Sequence, residues 1–320
     1  MRINSLGKSG LQLSQIGLGT MTWGRDTGEY EAHDHFQLYV EAGGNWLDTS
    51  SSFGDGLSET LVGQVLRAQG GSGVLISTRN GLNSSGTCRL DRKTLRDEIG
   101  ASLSRLGVER IDLWQISGPD PSTPLSELAA TLDLVLEGGY AHYVALSNFP
   151  AWHLADLKSH MRYPAQLVAG SYEYSLIARE IDADVLPALG HYDMGLLAWS
   201  PLGRGVLTGK YRTAIPADSR AASPHLGAFA RDRMGNAAQA VVEAVAAAAT
   251  GLRVSPAEVA IAWLANQPAV SSFITGARTL GQLQLTLGAL ALELPEVVAD
   301  ALTEVSASPA TYPSAAWYAD

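Results

Sequence analysis

The chain has 320 residues, of which 46% are hydrophobic and 17% are charged. This length and apolar content suit a large folded core, built either as one α/β barrel or as two ordinary domains. Its net charge of −10 disfavours nucleic acid and anionic membranes as partners, because both attract basic proteins.

The predicted elements begin with a β-hairpin over residues 3–13, which would turn around Lys8, Ser9 and Gly10. Short apolar strands then alternate with segments that resemble helices, a pattern typical of a parallel sheet covered by helices. The predicted strands cover residues 15–19, 45–48, 74–78, 111–116, 142–146, 166–169, 195–199 and 272–275.

Two of the intervening segments carry clear helix signals. Within residues 92–106 apolar side chains recur at helical spacing. Ser255 suits an N-cap, Pro256 the first helical position and Glu258 the third, so a helix is predicted from there toward Asn266.

Eight strand–helix units predict an α/β fold, a (β/α)8 TIM barrel with an N-terminal β-hairpin, as a single domain over residues 1–320. A doubly wound sheet is the alternative. It is weakened because no Gly-x-Gly-x-x-Gly motif follows an early strand. In a barrel, the long irregular stretch 204–233 would follow the seventh strand on the face where active sites lie.

Isolated reactive side chains do not define a site by themselves. Cys88 is the only cysteine, so an intrachain disulfide is impossible, and we interpret Cys88 as an unreactive loop thiol. His33 and His35 are too loosely patterned for a metal site, and we interpret them as solvated and predict no metal. A nucleophile among residues 50–52 is disfavoured because no histidine is spaced to activate it.

The first residues lack the apolar core of a signal peptide, and no uninterrupted apolar run of about 20 residues exists. We therefore expect a cytoplasmic protein without a membrane span.

A series of motifs, in order along nearly the whole chain, resembles those of the aldo-keto reductases. They are Leu6-Gly7-Lys8-Ser9-Gly10-Leu11, Gly17-Leu18-Gly19-Thr20-Met21, Asp48-Thr49 with Gly54 and Ser58-Glu59, Gln115-Ile116-Ser117-Gly118-Pro119-Asp120, Ser147-Asn148-Phe149, Trp199-Ser200-Pro201-Leu202-Gly203-Arg204-Gly205 with Leu207-Thr208-Gly209-Lys210-Tyr211, and Gly276-Ala277-Arg278-Thr279. The resemblance implies a barrel that transfers hydride from a nicotinamide to a carbonyl, whose new alkoxide is protonated by a tyrosine.

The resemblance also implies four catalytic positions, and only Asp48 matches the family at its own. Phe53 stands where the family has tyrosine, Arg79 where it has lysine, and Ser117 where it has histidine. Phenylalanine has no proton to give, and arginine remains protonated near neutral pH. Because general acid catalysis contributes roughly 10²–10⁴-fold, ordinary carbonyl reduction is expected to be severely weakened.

Other roles for these residues stay open. Asp48 and Arg79 form either a structural ion pair, with two parallel hydrogen bonds in the strongest geometry, or a catalytic or anion-binding pair. Phe53 is interpreted as part of the pocket wall. Ser117 either donates a hydrogen bond to a substrate or fills space.

For the cofactor, the resemblance implies NADP(H). It assigns Ser147 and Asn148 to the nicotinamide amide, Trp199 to its ring and Arg278 to the 2′-phosphate. The full set of expected cofactor residues is Thr20, Met21, Ser147, Asn148, Trp199, Ser200, Leu202, Gly205, Gly276, Arg278 and Gln282. Two positions depart from the family: Ser171 replaces a glutamine, and Leu285-Thr286 replaces Glu-Asn. Arg278 could also be only an exposed cation.

Three functions follow from these observations. The first is an atypical NADP(H)-binding oxidoreductase that acts on iminium or enone substrates, which do not need the usual acid. The second is a dehydratase, isomerase or cyclase that uses Asp48, Arg79, Ser117 and Tyr172. The third is a non-catalytic protein that binds a ligand or nucleotide. The small-molecule substrate and the oligomeric state are not indicated, and the aromatic stretch 312–318 either covers the barrel mouth or packs outside.

Overall fold

A hairpin and a barrel account for every strand in the described part of the chain. The computed structural model describes residues 1–309 except 69, 71, 72, 84, 218 and 225, so the aromatic stretch 312–318 lies outside the described residues. The hairpin is confirmed: β1 (Ile3–Ser5) pairs antiparallel with β2 (Gln12–Ser14).

The predicted (β/α)8 barrel is also confirmed. The eight remaining strands close in the order β10-β3-β4-β5-β6-β7-β8-β9. They are β3 (Ile16–Gly19), β4 (Trp46–Ser50), β5 (Leu75–Asn80), β6 (Ile111–Ile116), β7 (Ala141–Ser147), β8 (Leu167–Glu173), β9 (Gly195–Trp199) and β10 (Val270–Thr275).

Helices follow each barrel strand, as the alternation predicts. They are α1 (Glu29–Glu41), α2 (Leu57–Ala68), α3 (Arg92–Leu106), α4 (Leu125–Glu137), α5 (Ala151–His160), α6 (Val185–His191), α7 (Gly227–Arg231), α8 (Asn236–Leu252), α9 (Pro256–Ala265), α10 (Leu280–Gly288) and α11 (Glu296–Val305).

The two helices with clear sequence signals begin and end where those signals stand. In α3 the Asp91 side chain accepts the Thr94 N–H, and Gly107 ends the helix in the left-handed region at φ 70°. In α9 Ser255 and Glu258 form the predicted capping box.

Several strands run further than the apolar pattern predicts. β8 was expected over 166–169 but continues to Glu173. The added residues include Ser171 and Glu173, which are polar and nevertheless buried. A prediction from hydrophobicity alone therefore ends β8 too early. The residues that it omits are those near the carboxyl edge of the barrel.

At the amino-terminal end of the barrel strands, Trp46 of β4 contacts the neighbouring strands. Its indole N–H donates to the Ser14 carbonyl at 3.2 Å and to the Ser272 hydroxyl at 3.1 Å. Gly17 of β3 lies against the same ring, since a Cβ at Gly17 would stand 2.2 Å from it. This contact links β3, β4 and β10 at the point where the barrel closes.

The solvated interpretation of His35 is wrong. Helix α1 buries Ala32, His35, Phe36 and Tyr39, and His35 is only 1% exposed. Helical spacing places His35 on the apolar stripe with those neighbours. Burial lowers its pKa, because the charged imidazolium loses hydration.

The chain divides into two compact units. One comprises Met1–Tyr172, Ala188–Leu197 and Ser271–Gln284; the other comprises Glu173–Pro187, Ala198–Val270 and the chain from Leu285 onward. The single domain over 1–320 stays a prediction.

Among the described residues no single helix is long and apolar enough to cross a membrane, although the bent pair Ala238–Leu252 and Pro256–Ala265 passes together on length and composition. The same part of the chain contains no group of three or more side chains suited to hold a metal ion.

Candidate active site

The centre of the candidate site is the carboxylate of Asp48, which is 1% exposed. Arg79 donates from Nη2 to Oδ2 at 2.6 Å, and Gln115 donates from Nε2 to Oδ1 at 2.9 Å. Gln115 also donates to the Ser77 hydroxyl at 2.6 Å. Three neighbouring strands, β4, β5 and β6, thus meet at one carboxyl group.

The expected ion pair is present, but with one hydrogen bond instead of two parallel ones. Gln115 donates to Oδ1 of Asp48, and the single hydrogen bond from Arg79 goes to Oδ2. The Arg79 side chain is 14% exposed and the Asp48 side chain 2%. Burial raises the pKa of Asp48, and the Arg79 charge and the hydrogen bonds from Gln115 and Ser77 oppose that rise.

Two buried polar atoms beside this carboxylate have no partner among the described residues. They are Nε of Arg79 and Oε1 of Gln115. Arg79 and Gln115 are register partners on β5 and β6. A donor and an acceptor are therefore both unsatisfied at the same place.

Ser117 and Phe53 stand at two more of the four expected catalytic positions. Ser117 is half-buried, and its hydroxyl donates to the Asn80 carbonyl at 2.8 Å. Phe53 is half-buried and begins a short 3₁₀ turn, Phe53–Gly56. Neither side chain supplies an acid, since one is a hydrocarbon and the other a hydroxyl already donated.

The serines of residues 50–52 are likewise occupied by local hydrogen bonds. Ser50 Oγ lies 2.9 Å from Ser52 Oγ and donates to the Arg79 carbonyl at 3.1 Å, as does Ser51 Oγ at 3.3 Å. Tyr172, considered for a non-redox function, donates its hydroxyl to the Phe149 carbonyl at 2.7 Å.

Next along the barrel edge, Ser147 and Ser171 face each other in register at the ends of β7 and β8. Both side chains are buried, and neither hydroxyl has a hydrogen-bond partner in the part of the chain described. Asn148 follows at φ 61°, is exposed, and donates from its amide to the Ser117 carbonyl at 3.2 Å. Ser171, which the sequence suggested as a departure, thus lies beside a predicted cofactor residue.

The predicted residues Thr20, Met21, Gly276, Arg278 and Gln282 lie on or after β3 and β10. Thr20 is buried, and its hydroxyl is bonded to the Asp48 carbonyl and to Ser58. Arg278 is half-buried, and its backbone N–H donates to the exposed Gln282 side chain at 2.9 Å. Met21 is half-buried and Gly276 exposed.

In the other unit, the predicted loop from Trp199 to Gly205 is tightly wound. Ser200, Gly203, Arg204 and Gly205 all have positive φ, between 53° and 98°. The backbone N–H groups of Gly203 and Gly205 donate within the loop, to the Ser200 carbonyl at 2.8 Å and to the Leu202 carbonyl at 2.9 Å. Trp199 stacks on Phe229 with ring centroids 6.4 Å apart, and its indole nitrogen lacks a partner among the described residues.

Arg204 holds this loop through its side chain. It donates to both oxygens of Glu173, at 2.8 and 2.5 Å, and to the Phe229 carbonyl at 2.7 Å. Its guanidinium also lies 3.8 Å from the Phe229 ring centroid and 3.0 Å from Asp232. Arg233 makes a second contact with Glu173 at 2.8 Å. This buried cluster fixes segment 227–233 to the strained loop.

Elsewhere in the second unit a cavity of about 170 Å³ is lined by Val206, Tyr211, Met234 and Val242, among others. The predicted site residues are not among those that line it.

Sequence reasoning missed that Gln115 donates a hydrogen bond to Asp48. It also missed that Ser171 is the register partner of Ser147 and that Arg204 is the centre of an ion cluster. Glu173 and Arg204 stand 31 residues apart in sequence. The only available signal was that Arg204 occurs inside one of the motifs that resemble the family.

The family model described as Aldo/keto reductase family matches residues 15–307, and the chain belongs to that family.

Three relatives align over almost their entire lengths. The chain is 34% identical over 314 residues to a rice protein named "Probable voltage-gated potassium channel subunit beta" (Oryza sativa subsp. japonica), with 93% of this chain and 94% of the relative covered. It is 32% identical to protein tas of Escherichia coli (96% and 97% covered), and 30% identical to the uncharacterized oxidoreductase YrpG of Bacillus subtilis (97% of each).

Proposed function

We propose that this protein is an atypical oxidoreductase that binds NADP(H) and acts without the usual acid of its family. The observation that carries the proposal is the pair of buried, unsatisfied hydroxyls of Ser147 and Ser171. A carboxamide both donates and accepts hydrogen bonds, so two neighbouring hydroxyls suit a nicotinamide amide.

Other residues fit a nucleotide in the same way. The family resemblance assigns the loop from Ser200 to Gly205 to the pyrophosphate, and Trp199 offers an aromatic face with an indole N–H that lacks a partner among the described residues. Arg278 carries the guanidinium expected for a 2′-phosphate. When bound, the nicotinamide supplies the hydride.

The chain's own residues limit the acceptor. Asp48 is neutralised by Arg79, the Ser117 hydroxyl is donated to the Asn80 carbonyl, and Phe53 is a hydrocarbon. An ordinary ketone would become an alkoxide without an acid beside it. An iminium ion needs no proton on accepting hydride, and an enone takes its proton from water, so we propose these acceptors.

The test is an NADPH titration followed by quenching of tryptophan fluorescence, on the wild type and on Ser147→Ala, Ser171→Ala, Trp199→Ala and Arg278→Ala. We expect micromolar binding, near −8 kcal/mol, weakened roughly fivefold by each serine change because a buried hydrogen bond contributes about 1 kcal/mol. Ser159→Ala, on the exposed side of α5, is the matched control and should bind normally.

Two outcomes would contradict the proposal. One is no binding up to about a millimolar, weaker than about −4 kcal/mol. The other is binding that is indifferent to Ser147 and Ser171. Arg278→Ala should weaken NADPH more than NADH, since only NADPH carries the 2′-phosphate.

A second candidate function is a nucleotide-binding subunit of a larger assembly. The rice and Arabidopsis relatives are named as potassium channel subunits, and Phe53 removes the acid that turnover of ordinary carbonyls needs. NADPH that binds tightly and leaves unchanged with every aldehyde, enone and iminium acceptor would favour this function. Oxidation of bound NADPH by any of them would favour the oxidoreductase.

A further inference from the structure

The two unsatisfied atoms beside Asp48 require an explanation. Arg79 Nε is a donor with a buried N–H, and Gln115 Oε1 is a buried acceptor. Folded proteins rarely leave such atoms unpaired, and a charged donor is the most costly to leave. A polar group that is not part of the described chain is the partner that chemistry implies.

The orientation of the Gln115 amide follows from its partners. A carboxylate only accepts hydrogen bonds, so the amide nitrogen faces Asp48 and the amide oxygen faces away from it. Arg79 is bonded to the other oxygen of that carboxylate. Since the two residues are also register partners on adjacent strands, their unsatisfied atoms belong to one site.

Nearby protein hydroxyls do not fill this role. Ser77 already accepts from Gln115, Ser117 donates to the Asn80 carbonyl, and Ser50 is shared between Ser52 and the Arg79 carbonyl. The partner must accept from a guanidinium and donate to an amide oxygen. A hydroxyl oxygen does both, whereas a carboxylate does not donate and an ammonium does not accept.

We propose that Arg79 and Gln115 hold one water molecule, and that this water is the proton donor that replaces the missing phenol. The inference rests on the proposed function. When bound, the nicotinamide would supply hydride to the β-carbon of an enone, which would leave an enolate that needs a proton. An O–H bond of the water then breaks, its proton bonds to the α-carbon, and the hydroxide remains beside the Arg79 cation until bulk water reprotonates it.

In this arrangement Gln115 is a positioning residue. Its oxygen fixes one O–H bond of the water, while its nitrogen fixes Asp48. Arg79 lowers the energy of the hydroxide through its charge, as an arginine can without giving up its own proton.

The first experiment is a high-resolution crystal structure of the wild type. We expect one ordered water within about 2.7–3.2 Å of both Arg79 Nε and Gln115 Oε1. Gln115→Met and Arg79→Lys should each lose this water, and the lysine variant retains a cation for Asp48 in case methionine disturbs the fold. Gln37→Met, on the exposed face of α1, is the matched control and should keep it.

The second experiment measures reduction of a cyclic enone by NADPH in H₂O and in D₂O. We expect a solvent deuterium isotope effect on kcat in the wild type. Gln115→Met should lower kcat roughly tenfold to a hundredfold, at the lower end of what general acids contribute, with KM little changed.

The outcomes separate the water from the proposed function. Absence of the ordered water, or a water bonded to only one of the two atoms, overturns the inference. So does a Gln115→Met variant with the wild-type rate and isotope effect. If NADPH binds but no acceptor is reduced, the proposed function and the proton-donating role fail together, while the electron density still decides the water site.

Discussion

At the scale of single residues, restoring the family's residues at the four expected catalytic positions should increase activity. The triple change Phe53→Tyr, Arg79→Lys and Ser117→His restores the family's acid, its cationic neighbour and its imidazole around Asp48. We expect reduction of an aromatic aldehyde to rise roughly 10²-fold or more, as general acid catalysis allows. Phe53→Tyr alone should gain less, because an unassisted phenol has a pKa near 10. The rate of NADPH oxidation measures both, and a triple variant no faster than the wild type would contradict the prediction.

Asp120 provides a residue-scale prediction on pH. Burial alone would raise its pKa, but hydrogen bonds from the Ser122 side chain, the Leu90 backbone, the Thr123 side chain and the Ser122 backbone together lower it to about 2. A lowered carboxyl pKa contributes stability that is present above the unfolded pKa near 3.9 and is lost as pH falls through the folded one. Discounted for solvent screening, this contribution is about 1 kcal/mol.

Urea unfolding at about pH 5 and about pH 3 tests this contribution. At about pH 5 the contribution is present, and at about pH 3 part of it is lost. The wild type should lose more free energy of unfolding between them than Asp120→Asn does. Asp97→Asn, whose carboxyl is 65% exposed, is the control and should follow the wild type. Identical pH dependence in wild type and Asp120→Asn would show that the hydrogen bonds do not act through ionisation.

At the scale of elements, the Arg204 cluster should dominate the stability of the loop after β9. Arg204→Met leaves Glu173 buried with one partner fewer, and breaking a buried pair costs about 3 kcal/mol. Arg212→Met removes an exposed pair with Glu243 and should cost much less, because water and salt screen exposed ion pairs. Urea unfolding compares the two, and equal losses would argue against a special role for the buried cluster.

Elements also show where sequence patterns succeed. The bounds of α3 match the range of its helical apolar spacing, and α9 begins at the cap formed by Ser255, because both patterns act locally and are visible in the sequence. The end of β8 was missed because Ser171 and Glu173 are polar but buried, and their burial depends on neighbours distant in sequence. His35 was misjudged for the same reason.

At the scale of the whole molecule, barrel closure depends on the contact between Trp46 and Gly17. Gly17→Ala would place a Cβ 2.2 Å from the indole and should cost about 1–3 kcal/mol through overpacking. Gly100→Ala, in α3 with open space around its Cβ, should instead stabilise by about 0.5–1 kcal/mol. Thermal unfolding of the two variants checks both signs, and a harmless Gly17→Ala would show that the closing strands adapt.

The sequence by itself determined the family and the alternation of strands and helices, and its motifs align Asp48, Phe53, Arg79 and Ser117 with the positions that the resemblance expects to be catalytic. These follow from local patterns and ordered motifs, which need no knowledge of distant contacts. Only the tertiary structure decided that Gln115 takes one oxygen of Asp48, that Arg79 keeps an unsatisfied Nε, and that Ser147 and Ser171 are paired in register. Such contacts depend on strand register and barrel closure, which place residues 24 to 67 positions apart side by side.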